Sequence, residues 1–329
     1  MSVTSKRQNG AQSGRGVRRS RSGGKERRLL RPSTLPYVLI LPALLFELLI
    51  HIVPMIFGVV ISLFQLNQFY IRNWINAPFV GLDNFKIGLN TQGPIGSELV
   101  HSFLITCAYT LLVVTCSWLF GVTAALLVNA EFRGRGWFRT LFLIPYALPI
   151  YVAILAWQFM LQQKNGAVNT LLVQNLHVLD HSPFWLLGGN AFWSMVVTSL
   201  WRTWPFAFLI LLAALQNIPA ELYDAASVDG ASKLRQFRSI TLPLIRPVSV
   251  VVILVMFLWN FNDFNTPYVL FGQAPPPAAD LLSLHIYINS FVDLNFGLGA
   301  AMSTLLLLFL LVVSIVYIRL LHVGGESNA

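Results

Sequence analysis

Charge is scarce in this 329-residue chain: Asp, Glu, Lys and Arg together make up 11% of it, against 56% hydrophobic residues and 13% aromatic ones. A soluble domain carries about 25% charged residues, so this composition excludes an ordinary soluble protein and points to a bilayer. Cysteine is almost absent. Cys107 and Cys116 stand nine residues apart inside one apolar stretch, with no CxxC and no Cys/His ligand spacing, which excludes a disulfide framework or a zinc module and reads as two inert thiols. A Walker A loop is missing too: Gly24-Lys25 runs into Glu26 and lacks a glycine five positions earlier, so ATP is not bound by that route. There is no HExxH helix, no GxSxG elbow and no solenoid-type repeat, and the six histidines are scattered; neither a metal site nor a catalytic constellation is expected.

The formal charge of +9 raises the question of nucleic acid, but 10 of the 22 Lys and Arg lie before residue 32. A membrane accounts for the remainder, and no nucleic-acid partner is expected. Residues 1–35 are rich in Ser, Gly, Arg and Lys, with Arg18, Arg19, Arg21, Lys25, Arg27 and Arg28 clustered, a composition that cannot build a core and predicts a disordered tail. Its charge serves either as a topogenic signal that keeps the tail in the cytoplasm or as a contact with anionic headgroups. The apolar run that follows is too extended for a cleaved signal peptide, so a retained first span is expected.

With about 20 apolar residues per crossing, six spans are predicted, at roughly 37–64, 102–129, 138–161, 191–214, 248–271 and 297–320. The N-terminal tail, the loop holding Arg133, Arg135 and Arg139, the loop holding Lys233, Arg235, Arg238 and Arg246, and the C-terminal Arg319 all fall on one side. Only Arg72, Lys86 and Lys164 fall on the other. The positive-inside rule then puts both termini in the cytoplasm.

Polar groups inside spans are costly and mark either packing or a substrate route. The fifth span carries Asn260, Asn262, Asp263 and Asn265 beside Trp259, Phe261 and Phe264, roughly 17 to 26 Å from its inner end at helical rise. Spacing of three puts Asn260 with Asp263, and Asn262 with Asn265, on shared faces. Amides and a carboxylate beside rings suit a sugar, whose hydroxyls need directed hydrogen bonds and whose C–H faces pack on aromatics; interhelical hydrogen bonding is the alternative. Arg202, flanked by Trp201 and Trp204, lies at mid-depth in the fourth span. It is expected to pair with Asp263, or alternatively to hold an anionic substrate. Glu47 and His51, one turn apart in the first span, are expected to hydrogen-bond, with a proton relay as the alternative. Pro42 and Pro54 are expected to kink that span.

Between the fourth and fifth spans lies PAELYDAASVDGASKLRQFRSITLPLIRP, from Pro219 to Pro247. Pro219 suits a helix start, and Glu221 and Asp224 follow where the helix dipole favours carboxylates. Leu222, Ala225 and Ala226 share a face, and Asp229-Gly230 is a natural stop. Ser232 can cap a second helix carrying Leu234, Phe237 and Ile240, which Pro243 should end. The prediction is a compact helical hairpin; a plain solvated connector is the alternative.

At these residues a family becomes recognisable. Asp224-Ala225-Ala226, then Asp229-Gly230-Ala231, then Ile240-Thr241-Leu242-Pro243 resembles the EAA loop in permease subunits of binding-protein-dependent ABC importers, with Asp224 where the family has Glu. Phe79-Val80-Gly81-Leu82-Asp83-Asn84-Phe85, the stretch Gly166 to Leu172 and Trp201 to Phe206 are similar to segments of the carbohydrate group, of maltose or glycerol-3-phosphate type. Phe271-Gly272-Gln273-Ala274-Pro275-Pro276 departs from the family's Gly-Gly-Pro turn.

The resemblance implies an all-α polytopic membrane protein with six transmembrane helices in the type I ABC importer permease fold. The domains would be the tail 1–35, a permease domain 36–321 that includes the loop 219–247, and a short tail 322–329. The chain would not be an enzyme. It would pair with a second homologous permease, a dimer of cytoplasmic ATPase holding ATP and Mg, and an extracytoplasmic solute-binding protein, in the lipid of a bacterial cell membrane. Glu221, Leu222, Tyr223, Asp224, Ala225, Ala226, Asp229 and Gly230 would couple to the ATPase, with Leu222, Tyr223, Ala225 and Ala226 as the packed face. Trp201, Arg202, Trp204, Trp259, Asn260, Asn262, Asp263 and Asn265 would line the path of a sugar or sugar-like solute. The alternatives are glycerol-phosphate or another small polar solute on the same machinery, or an ion-coupled secondary transporter using Glu47, His51, Arg202 and Asp263.

Overall fold

The computed structural model describes residues 35–326, so the basic tail 1–34 and the last three residues lie outside it. Among the described residues there is no strand, only an isolated antiparallel bridge between Phe64 and Phe79. Five helices are long and apolar enough to cross a membrane, and a bent pair makes a sixth candidate. The chain divides into two compact units at Pro54–Met55.

The first unit holds α1, Leu35–Glu47, and a π-helical turn over Leu48–Ile52. α2, Val53–Ile61, begins at its end and continues the apolar helix. Pro54 has no N–H to give, and its ring crowds the carbonyl four residues back; the wider π turn makes room for it. Pro42 lies inside α1 without interrupting it. Glu47 Oε2 and His51 Nδ1 are 3.2 Å apart, with both side chains more than half exposed.

In the second unit a 3₁₀ turn, Ile71–Asn76, leads to α3, Asp83–Leu89. Asn84, buried within the Phe79–Phe85 stretch, donates to the Ser62 and Phe64 carbonyls at 2.8 and 2.9 Å. α4, Pro94–Asn129, has 36 residues, about 54 Å at helical rise. Its main partner is α8, described below, and small residues let the two backbones close up: a Cβ on Gly121 would lie 2.7 Å from that of Ala207. Close approach of this kind is how helices associate where lipid gives no hydrophobic drive.

The predicted third span is not one helix. α5, Arg135–Ala147, and α6, Ile150–Met160, meet at 91°. Leu148 precedes Pro149 and is extended at φ −76°, ψ 141°, because a proline's ring disfavours helical backbone in the residue before it. A short α7, Ala167–Asn169, runs into a π turn over Thr170–Asn175, and α8 is Asn190–Gln216. Within that connection Asn169 is buried and bridges the chain, donating to the Gln163 and Pro183 carbonyls and accepting from Trp185 Nε1 at 2.7 Å.

The hairpin comprises α9, Ala220–Val228, and α10, Lys233–Gln236. Pro243 does not end the second helix: a π turn over Phe237–Thr241 feeds directly into α11, Leu242–Phe261. The extra residue in that turn again accommodates the proline four residues beyond the crowded carbonyl. The predicted fifth span is broken instead at Asn262–Phe264, between α11 and α12, Asn265–Phe271. The departure from Gly-Gly-Pro after it turns at Gly272, φ +71°. α13, Leu282–Tyr287, and α14, Phe296–Glu326, complete the unit. Its core includes Val114, Ala125, Phe208, Leu211, Ile245 and Met256, where α4, α8 and α11 meet.

Candidate functional site

The break in the fifth span is held open by one carboxylate. Asp263 Oδ1 accepts the Thr266 backbone N–H at 3.1 Å, and Oδ2 accepts the Thr266 hydroxyl at 2.6 Å. This is capping geometry: a side-chain oxygen takes an N–H that the first turn of α12 leaves without a helical partner. From α4 the Tyr109 hydroxyl donates to Asp263 Oδ2 at 2.8 Å, and from α8 the Ser199 hydroxyl reaches it at 3.5 Å. The Ser283 hydroxyl donates to the Asp263 carbonyl at 2.8 Å. Three segments of chain thus converge on a side chain that is 3% exposed, and a fourth holds its backbone carbonyl.

Arg202 enters from α8 with Nη2 3.7 Å from Asp263 Oδ2. Beside the pair opens a cavity of about 440 Å³ lined by Arg202, Trp259, Asn260, Asn262, Asp263 and Asn265, with Ile150, Thr203 and Leu258. Its walls are polar but mostly spoken for. Asn260 donates to the Met256 carbonyl at 2.8 Å, Asn262 to the Leu258 carbonyl at 3.3 Å, and Asn265 Oδ1 accepts the Tyr151 hydroxyl at 2.9 Å. The indole of Trp259 is half exposed and stands 4.9 Å from the Phe206 ring.

Six of the eight residues expected on a substrate path therefore share one cavity. They meet through the helix break and not, as the spacing argument had it, as two pairs on the faces of an unbroken helix. Trp201 and Trp204 do not join them. Trp201 packs edge-on against Trp157 at 6.0 Å, while Trp204 sits against Phe142 at 5.3 Å within the α4–α8 core. Tyr109, Ser199 and Thr266 were missed by sequence reasoning. Thr266, three residues after Asp263, carried a readable capping spacing; Tyr109 and Ser199 are each one of several hydroxyl residues in a long helix, and nothing in the sequence sets them apart.

A second polar cluster was also missed. Asp280 Oδ2 accepts the Ser102 hydroxyl at 2.7 Å and lies 2.8 Å from His285 Nδ1, while Asn289 Nδ2 is 3.2 Å from His285 Nε2. The groups are 5 and 178 residues apart in sequence from Asp280, which is why no motif disclosed them.

The hairpin has a different character. Pro219 is extended at ψ 134° just before α9, and Gly230 takes φ +76° just after it. The Gly230 and Ala231 N–H groups return to the Ser227 and Ala226 carbonyls at 3.1 and 2.9 Å, the closure that a left-handed residue allows at a helix end. Ser232 Oγ accepts the Arg235 N–H at 3.4 Å. The two arms are tied by the Tyr223 and Thr241 hydroxyls at 2.9 Å and by buried Gln236 donating to Ser227 Oγ at 2.9 Å. Of the expected packed face, Tyr223 and Ala226 are half-buried while Leu222 and Ala225 are exposed, as are Glu221, Asp224, Asp229 and Gly230. Val228, 89% exposed, and Leu234, 59% exposed, are further apolar side chains that the tip leaves uncovered.

Residues 117–322 match the family described as binding-protein-dependent transport system inner membrane component. The trehalose/maltose transport system permease protein MalF of Thermococcus litoralis is 34% identical over 88% of this chain and 94% of its own length. The sulfoquinovosyl glycerol transport system permease protein SmoG of Agrobacterium fabrum is 32% identical over 88% of this chain and 90% of its own. In fold, the chain is similar to a subunit of a bacterial ABC transporter involved in import of the acidic polysaccharide alginate, with a TM-score of 0.72 at 20% identity, over 87% of this chain and 94% of that one. The chain accordingly belongs to the family of binding-protein-dependent transport system inner membrane components: it is a multi-pass, membrane-spanning permease subunit of an ABC importer, in which ATP hydrolysis resides on a separate subunit.

Proposed function

We propose that this permease carries a sugar or sugar-like solute through the cavity at the Asn262–Phe264 break, and that the hairpin at 219–230 receives the ATPase stroke that opens and closes it. The observation that carries this reading is mechanical. α11 runs from the π turn at the foot of the hairpin to Phe261, with Pro247 in its first turns, about 30 Å of helix, and it places Asn260 in the cavity wall with Asn262 just past its end. A displacement at one end is delivered to the other because a helix held by its internal hydrogen bonds does not compress. The exposed Leu222, Val228 and Leu234 on an otherwise charged tip are what a groove on a partner would cover.

The partners follow from the family. They are a second homologous permease, two copies of an ATPase holding ATP and Mg, and a solute-binding protein that delivers substrate. Lys and Arg concentrate in the loop at 133–139, the hairpin and the ends, which supports cytoplasmic termini and a hairpin that faces the ATPase, in a bacterial inner or plasma membrane. Sugars are favoured because the relatives are named for trehalose, maltose and a sulfoquinovosyl glycoside. The cavity offers what a sugar needs, amides for hydroxyls and the Trp259 ring for a C–H face. A ligand can shift the permease only by the difference in its affinity for the two states, so the cavity must differ between inward and outward forms.

Co-purification from native membranes, followed by ATPase and uptake assays of wild-type and Gly230-substituted complexes, tests this. Recovery of a second permease with an ATPase, and loss of coupled uptake on substitution, is the expected result. A transport-competent chain that brings down no ATPase and ignores the substitution would sink it.

A further inference from the structure

The cavity wall is electrically lopsided. Arg202 has five N–H donors and makes no hydrogen bond among the described residues: Asp263 Oδ2 stands 3.7 Å from Nη2, and Nε is buried with no partner. Asp263, by contrast, is fully engaged by Thr266 and Tyr109, with Ser199 at the edge of reach, and turned away from solvent. Its side chain is 3% exposed where that of Arg202 is 24% exposed. The carboxylate is therefore spent inside the protein, and the guanidinium is the half of the pair that the cavity meets. The amides reinforce the asymmetry. Asn265 Oδ1 is taken by Tyr151, which leaves its NH₂ group for a ligand, whereas the unpartnered Oδ1 of Asn260, an acceptor that would favour a donor, is buried.

A neutral sugar would leave this fork half used. A carboxylate would accept two parallel N–H bonds from it, the geometry a guanidinium is shaped for. A cation would find no free carboxylate oxygen here. We propose that the solute is an acidic sugar, carrying a single carboxylate or sulfonate that docks on Arg202 while the ring rests on Trp259 and its hydroxyls meet the asparagine amides. This deepens the sugar-importer reading and rests on it.

The test compares monosaccharide probes that differ only in the group at C6. Galacturonate, its uncharged methyl ester and the corresponding C6-sulfonated hexose are titrated calorimetrically against the full permease–ATPase complex in lipid nanodiscs, with no binding protein present to select among them. The acid should bind about tenfold to a hundredfold more tightly than the ester, the value of one or two charge-assisted hydrogen bonds, with the sulfonate close to the acid. Arg202→Gln should bring the acid down to the level of the ester, and Arg202→Lys, which keeps charge without the fork, should fall between. Equal binding of acid and ester to the wild type, or binding of neither, overturns the proposal, and this comparison decides even where Arg202→Gln fails to assemble. ATPase activity of the same complex, stimulated by its co-purified binding protein, is read in parallel. Stimulation without preference for the acid removes the acidic sugar and leaves the importer; no stimulation removes the importer reading itself.

Discussion

The hairpin at 219–241 and the break at Asn262–Phe264 lie on either side of α11, yet they are built on opposite plans. The hydrogen bonds that shape the hairpin come from within about twenty residues: Tyr223 meets Thr241, Gln236 meets Ser227, and Gly230 closes onto Ser227. The break draws on Tyr109, Ser199, Arg202 and Thr266, as far as 154 residues away from Asp263. One is a locally hydrogen-bonded, largely exposed module that is anchored to the core through Phe237. The other exists only if three long helices are already packed, so its polar groups are both site and structural fastener.

That contrast predicts where damage is felt. The largest effect should come from Asp263→Ala, which strands Arg202 with no counter-charge and frees the Tyr109 and Thr266 donors. Removing one member of a buried pair costs about 3–5 kcal/mol, so thermal unfolding of the purified chain should fall sharply, or the protein should fail to accumulate. The double change Arg202→Met with Asp263→Leu should recover much of that stability without transport, since an apolar pair of similar volume is often neutral. No loss in the single variant would break the comparison. Tyr109→Phe comes next. It removes one donor from a buried carboxylate at about 1–3 kcal/mol, readable as a lower unfolding midpoint with the fold retained.

Changes in the hairpin should be smaller in stability and larger in coupling. Gly230→Val forces a β-branched residue to φ +76°, about 1–2 kcal/mol of backbone strain, while an added Cβ meets nothing within 4 Å. The expected outcome is a folded permease whose ATPase is no longer coupled to uptake, checked by measuring the two rates side by side. Smallest is Ser232→Ala, which deletes the cap on Arg235 N–H at about 0.5–1 kcal/mol. Folding should be unchanged within error and uptake reduced slightly. A hairpin variant that unfolds the protein would erase the distinction between the two regions.

Legibility in the sequence follows the same division. The hairpin was readable almost to the residue, from Pro219 at the start to Gly230 at the stop and Ser232 at the second cap, because each is a local backbone requirement tied to one residue type. Pro243 misled, since a π turn can absorb a proline that a regular helix cannot. Asn260, Asn262, Asp263 and Asn265 were legible as a polar patch because such groups are conspicuous in an apolar span. Their convergence was not, because three-residue spacing assumes an unbroken helix and Asp263 is the residue that breaks it. Trp201 and Trp204 flank Arg202 in sequence, in a segment similar to the carbohydrate group, and were drawn to the cavity with it. Successive helix positions point about 100° apart, and both rings turned into packing.

Composition, periodicity and charge placement were enough to establish a helical membrane protein, the rough position of its spans and the helical hairpin between the fourth and fifth of them, because lipid compels backbone groups to satisfy one another within a segment. Long-range pairing set the rest: the partners of Asp263 and the link from Ser102 to the Asp280–His285 cluster. These depend on which helices lie side by side, and a hydroxyl in an apolar helix carries no mark of the carboxylate it will meet until those helices are packed.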